Sequence, residues 1–106
     1  PGCVTKYMVA MVVIDNMYNS SELKNSVTIT KQLTEYGDTF KLGESVEVGD
    51  LIKAMLIGDS DQAAEALATY SASGRKIFVN EMNAKATELG LTDTHFTNPS
   101  GAYSTG

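Results

Sequence analysis

The segment from Val4 to Tyr18 constrains this chain more than any other, because it is apolar almost all the way round. Val4, Tyr7, Met8, Val9, Ala10, Met11, Val12, Val13, Ile14 and Met17 leave little room for a polar face. A helix of this kind is normally buried on every side. Its β-branched residues would also suit a strand, but its length and the lack of internal Gly or Pro favour a helix. Pro1-Gly2 suits a turn leading in, and Asn16 to Ser21 reads as the exit loop. The uninterrupted apolar run, Tyr7 to Ile14, is eight residues, whereas a membrane span needs about 20. The helix therefore calls for a protein core. A chain of 106 residues, 42% hydrophobic, has material for one small domain or part of a larger one.

The rest of the chain reads as a succession of helices with little sheet. Val27-Thr28-Ile29-Thr30 alternates as a short strand, with Val46-Glu47-Val48 as its partner; each is too short to be stable alone. Between them, Lys31 to Glu35 suits one helical turn, and Gly37 and Gly43 bracket a loop. Asp50 to Ile57 reads as a helix with Leu51, Ala54, Met55 and Ile57 inward, broken at Gly58 to Ser60. Asp61 to Tyr70 is Ala-rich and helical, with an early acid that suits the helix dipole. Ser73 is placed to cap a further helix running to Leu89, with Phe78, Met82, Ala86 and Leu89 on one face and Gly90 as its C-cap. Thr92 to Gly106 is rich in Thr, Asn, Ser and Gly and reads as loop.

Charge and composition exclude several functions. Eight Lys and Arg against 13 Asp and Glu give a formal net charge of -5, which argues against nucleic acid or an anionic membrane surface as the main partner. A single Cys and a single His rule out an internal disulfide and a His-rich metal site. No cofactor is expected.

Three short segments can carry chemistry. In Cys3-Val4-Thr5-Lys6, residues three apart share a helix face, so a nucleophile at Cys3 lies beside the Lys6 amine. A helix N-terminus and a nearby ammonium both favour a thiolate, and a buried lysine beside a nucleophile is a workable general base. By spacing alone, any C-x-x-K matches, and a structural Cys with a surface Lys is the ordinary reading. Gly58-Asp59-Ser60-Asp61-Gln62 is a polar break between apolar helices, able to present side chains into a cleft or simply to cap the next helix through Ser60 or Asp61. Asn98-Pro99-Ser100-Gly101 is a turn by composition. His95 beside it reads as a packing or surface residue.

Taken in order, these segments resemble the low-molecular-weight penicillin-binding proteins, the serine D-Ala-D-Ala carboxypeptidases. Pro1-Gly2-Cys3-Val4-Thr5-Lys6-Tyr7-Met8-Val9 follows that family's P-A-S-x-T-K-x-M-T, except at the nucleophile. Lys41 to Ile57 resembles L-K-x-G-E-x-V-T-V-x-D-L-L-x-A-M-L-I, and Asp59 to Ala68 resembles S-G-N-D-A-A-x-A-L-A. Phe78 to Gly101 follows F-V-x-x-M-N-x-x-A-x-x-L-G-L-x-x-T-x-F-x-N-P-x-G, and Tyr103-Ser104-Thr105 resembles the close of H-Y-S-T-A.

The resemblance implies a mainly α chain. It would be the helical lobe of a β-lactamase/transpeptidase-like α/β fold, with the main antiparallel sheet missing. Residues 1–106 would form a partial peptidase domain, from the nucleophile helix through the helical lobe. Both ends read as cut from a longer protein: there is no charged leader followed by an apolar stretch, and the family's K-T-G motif does not occur in the sequence. The implied activity is acyl transfer that removes the terminal D-Ala from peptidoglycan stem peptides. Cys3 would stand at the nucleophile position, where the family has Ser, and Lys6 at the general base; β-lactams would trap the same nucleophile. The S-x-N motif falls on Asp59 and Asp61 in ungapped register, which the Ala63-Ala64 match favours, or on Ser60 and Gln62 if shifted by one. Asn98, Pro99 and Gly101 would shape the rim. The parent protein would act outside the cytoplasmic membrane, in the bacterial cell envelope or secreted. A non-catalytic binding or scaffolding module on the same fold is the alternative. The isolated segment is expected to be inactive and, through its exposed apolar surface, to self-associate.

Overall fold

The computed structural model describes the backbone of residues 2–101 and the side chains of residues 4–101. Helix α1 spans Gly2–Asn16, α2 Val48–Leu56, α3 Asp61–Ser71 and α4 Arg75–Glu88. Strands β1 (Ser26–Thr28) and β2 (Ser45–Glu47) pair antiparallel, with Val27 opposite Val46. Short 3₁₀ turns occupy Ser20–Lys24 and Leu33–Tyr36. The first begins at the end of the segment expected as exit loop, Asn16 to Ser21, and runs past it; the Asn19 side chain caps it by accepting from the Ser21 N–H.

Helix α3 is the hub. Gln62 through Leu67 and Ala68 are all buried, and the helix packs against α1, α2, α4 and the turn at Leu33–Tyr36. Four alanines make this possible: Ala63, Ala64, Ala66 and Ala68 are fully enclosed and let neighbouring backbones come close. Leu67 is the large residue at the centre, and truncating it to alanine costs about 2–5 kcal/mol by transfer and cavity formation. Glu65 is buried beside it and is held by Arg75, Nε at 2.7 Å and Nη2 at 3.2 Å. The guanidinium lies 5.8 Å above the Tyr36 ring. Together these contacts tie the start of α4 to α3.

Four expectations change on contact with the fold. Helix α1 is buried on one side only: Met8, Val9, Val12 and Val13 face the core, while Val4, Tyr7, Met11 and Ile14 are exposed. The described elements cover only the face that meets α3, α2 and α4. Helix α2 begins earlier, so Val48 is buried at its first turn, and Ile57 lies beyond the last helical residue and is 85% exposed. Ser73 does not cap α4. The chain reverses through Gly74 at φ +155°, a conformation other residues rarely adopt, and the helix starts at Arg75. On α4, Phe78, Met82 and Ala86 are buried, but Leu89 is the residue that ends the helix and is 47% exposed. Gly90, at φ +77°, follows it in the left-handed conformation that terminates helices.

Candidate active site

Lys6 occupies the first turns of α1 and is 4% exposed. Its amine is the meeting point of three chain segments. Nζ donates to Asp61 Oδ1 at 2.7 Å and to the Ser100 carbonyl at 3.2 Å, and it lies 3.0 Å from Asp59 Oδ1. An ammonium has three N–H donors and no acceptor. All three of these neighbours among the described residues are acceptors, so the cluster is matched to a protonated lysine. Burial by itself lowers the amine, but hydrogen bonds and charge from Asp61 and Asp59 outweigh it and hold Lys6 above its ordinary value.

The local fold explains how the two acids reach one amine. Gly58 ends the α2 segment so tightly that a Cβ there would lie 2.9 Å from the Ala54 carbonyl oxygen. Asp59 follows at φ +56°, which aspartate tolerates better than most residues. Ser60 then caps α3: its hydroxyl accepts from the Ala63 N–H at 3.1 Å and shares a 2.9 Å bond with Thr39. Asp61 stands in the first turn of α3, where the helix dipole favours a carboxylate. Asp59 and Asp61 therefore turn to Lys6, whereas Ser60 is committed to the helix cap.

Gln62 is committed elsewhere too. Its buried side chain donates to the carbonyls of Leu33, Gly37 and Phe40 at 3.3, 2.9 and 3.1 Å and accepts from the Phe40 N–H at 2.8 Å. It staples the loop between β1 and β2 to α3. In the shifted register, Ser60 and Gln62 would both have to face Lys6; the geometry directs both to the 33–40 loop instead.

The third segment, 98–101, reads from the sequence only as a turn and a rim. Asn98 builds the turn by accepting from the Gly101 N–H at 2.7 Å and the Ser100 hydroxyl at 3.2 Å. That turn aims the Ser100 carbonyl at Lys6, a backbone contact that no side-chain pattern announces. Upstream, Asn83 clamps Phe96, donating to its carbonyl at 2.9 Å and accepting from its N–H at 2.8 Å. His95 is exposed and borders a pocket with Lys76, Asn80 and Asn83 that shares no residue with the Lys6 cluster. Cys3 belongs to α1, one turn before Lys6, and its side chain lies outside the described residues. Tyr103-Ser104-Thr105 also falls outside them.

A lysine on an apolar helix, met by a polar break between two helices and by an Asn-Pro turn, belongs to the helical lobe of a penicillin-binding, transpeptidase-like fold. Residues 1–106 match the D-alanyl-D-alanine carboxypeptidase family, and the chain belongs to that family. It is 32% identical over 99 residues to a D-alanyl-D-alanine endopeptidase of Escherichia coli, covering 92% of this chain and 32% of that protein. Among solved structures it resembles a D-alanyl-D-alanine carboxypeptidase of Mycobacterium tuberculosis, with TM-score 0.85 and 30% identity, over 99% of this chain and 39% of the other. A D-alanyl-D-alanine carboxypeptidase of Francisella tularensis superposes with TM-score 0.89 at 26% identity, over 100% of this chain and 27% of the other. The chain thus spans about a third of the length of the E. coli relative.

Proposed function

We propose that the complete gene product is a D-Ala-D-Ala peptidase of the bacterial cell envelope, cleaving peptidoglycan stem peptides by acyl transfer and reacting covalently with β-lactams. The single observation that carries this reading is the Lys6 cluster. A buried amine, one helical turn after the nucleophile position, is met by Asp59 and Asp61, the two residues that align with the family's S-x-N motif without a gap. Cys3 is the proposed nucleophile, and the neighbouring ammonium favours its thiolate. The substrate is the peptide stem, with no nucleic acid involved. The test is intact mass after incubation of the complete gene product with a β-lactam. Addition of one β-lactam mass, mapped to Cys3, is expected. No adduct on either the natural protein or its Cys3→Ser version would sink the reading.

A second reading is supported by the same cluster. Lys6 is held as an ammonium by two acids where the family's scheme needs a neutral base, which suits a non-catalytic module that binds stem peptides. Turnover of a peptide ending in D-Ala-D-Ala above background by the complete gene product eliminates this alternative.

A further inference from the structure

We infer that Asp61, rather than Lys6, takes the proton from the hydrolytic water, and that Lys6 serves as the proton donor to the leaving amine. This inference rests on the Cys3 nucleophile proposed above.

The geometry around Lys6 removes it as a resting base. A neutral amine would point its lone pair at the proton to be abstracted, but the three groups around Nζ among the described residues are oxygen acceptors. Two of them are carboxylates. The base must therefore be one of the groups nearby that still has a free lone pair. Ser60 is occupied by the helix cap and Thr39, and Gln62 by the 33–40 loop. Asp59 and Asp61 remain. Asp61 is the better placed. It is fixed in the first turn of α3, is 42% exposed against 79% for Asp59, and makes the shorter bond to Nζ. Only its Oδ1 engages Lys6, so its second oxygen is available to a water molecule at the open side of the cluster.

The steps balance. At rest the nucleophile is a thiolate, Lys6 an ammonium and Asp61 a carboxylate. The sulfur bonds to the carbonyl carbon between the two D-alanines. The C–N bond breaks as Lys6 gives its proton to the departing amine, leaving a thioester, a neutral lysine and free D-Ala. Water then attacks the thioester and Asp61 accepts its proton. The C–S bond breaks, the thiolate is restored, and the proton crosses the 2.7 Å hydrogen bond from Asp61 to Lys6. The lysine is rearmed as a donor without ever abstracting a proton from the nucleophile.

The test uses the complete gene product and benzylpenicillin, with intact mass read against time. The natural protein is expected to acquire one adduct and release it. Asp61→Asn is expected to acquire the adduct within a few-fold of the natural rate and to release it about 100-fold more slowly, the lower range for losing a general base. Asp61→Glu restores part of the release. Lys6→Arg, whose side chain stays charged and cannot act as a base, retains release once acylated. Release from Asp61→Asn at the natural rate overturns the inference, as does loss of release in Lys6→Arg with Asp61→Asn unaffected. If Asp61→Asn does not fold, as judged by circular dichroism, Lys6→Arg decides alone. Failure of the natural protein to form any adduct at Cys3 is the distinct result that removes the underlying reading, and this inference with it.

Discussion

The Lys6 amine and the Asp61 carboxylate, 55 residues apart in the chain, meet at 2.7 Å, with the lysine 4% exposed. Because Asp59 and Asp61 hold Lys6 above its ordinary value, the cluster links folding to proton binding on the alkaline side. The folded protein keeps the Lys6 proton at pH values where the unfolded chain has released it. The stabilisation is therefore fully present below the unfolded value, near pH 10, and is lost as pH rises through the folded one. Tyr70 and Lys85 are also raised and act in the same direction. Comparison of the natural protein with the Asp59→Asn/Asp61→Asn double variant isolates Lys6. The variant is expected to be less stable at neutral pH and to show a shallower alkaline limb in a urea titration, because Lys6 no longer keeps its proton beyond the unfolded value. Superimposable alkaline limbs would show that the acids do not hold the proton.

The same two acids give the site an excess negative charge, since one ammonium faces two carboxylates. A free terminal carboxylate on a substrate meets that charge. At an effective dielectric of about 20, a unit charge roughly 12 Å away contributes about 1.4 kcal/mol, or tenfold in rate. The complete gene product is accordingly expected to favour a peptide whose C-terminal D-Ala is amidated over the same peptide with a free carboxylate. Asp59→Ser/Asp61→Asn, which restores the family's residues and removes two unit charges, should move the ratio of kcat/KM toward the free acid by about 100-fold. A ratio unchanged by the double substitution, with both proteins active, would refute charge discrimination by these residues.

Gln62 supports the site from behind. Its four hydrogen bonds to residues 33, 37 and 40 fix the loop that also supplies Thr39 to Ser60. Gln62→Ala leaves the Phe40 N–H and three carbonyls to find water in a region that the side chain now fills. A cost of about 2–4 kcal/mol is expected, of the size of a buried polar group losing its partner with some added cavity. Chemical denaturation measures it. Amide exchange should accelerate first at residues 37–40, before α4 is affected, and uniform acceleration would assign Gln62 a general packing role instead.

Much of this architecture is legible in the sequence, for reasons that individual residues make plain. The alternation around Val27 and Val46 gives the two-stranded pairing, and Gly58 marks the break that brings Asp59 and Asp61 round to α1. Phe78, Met82 and Ala86 disclose the inner face of α4. Periodicity fails where an element ends: Ile57 and Leu89 have the right spacing but sit at helix termini, where the chain has already turned away. It also cannot tell a helix cap from a site residue. Ser60 and Asp61 are adjacent and both polar, and only the direction of α3 sends one to Ala63 and the other to Lys6. The Ser100 carbonyl is invisible to any reading of side chains. The Glu65–Arg75 pair was equally hidden, because a glutamate among alanines reads as the solvated side of a helix until the partner is seen.

The exposed side of α1 carries the last expectation. Val4, Tyr7, Met11 and Ile14 recur at three- and four-residue spacing, 46, 62, 37 and 57% exposed, with no charged residue among them. Fully burying a side chain of this size is worth about 1.5–3 kcal/mol, so covering the stripe is worth several kcal/mol against a typical domain stability of about 5–15 kcal/mol. A stripe of that value left in water promotes association. The 106-residue chain is therefore expected to self-associate, with a sedimentation coefficient that rises with concentration. Tyr7→Asp combined with Ile14→Lys, which adds no net charge, should return it to a monomer while helix content stays unchanged, because neither side chain contributes to the core. A sharp monomer boundary for the natural sequence at millimolar concentration, or association undiminished in the double variant, would place the driving surface elsewhere.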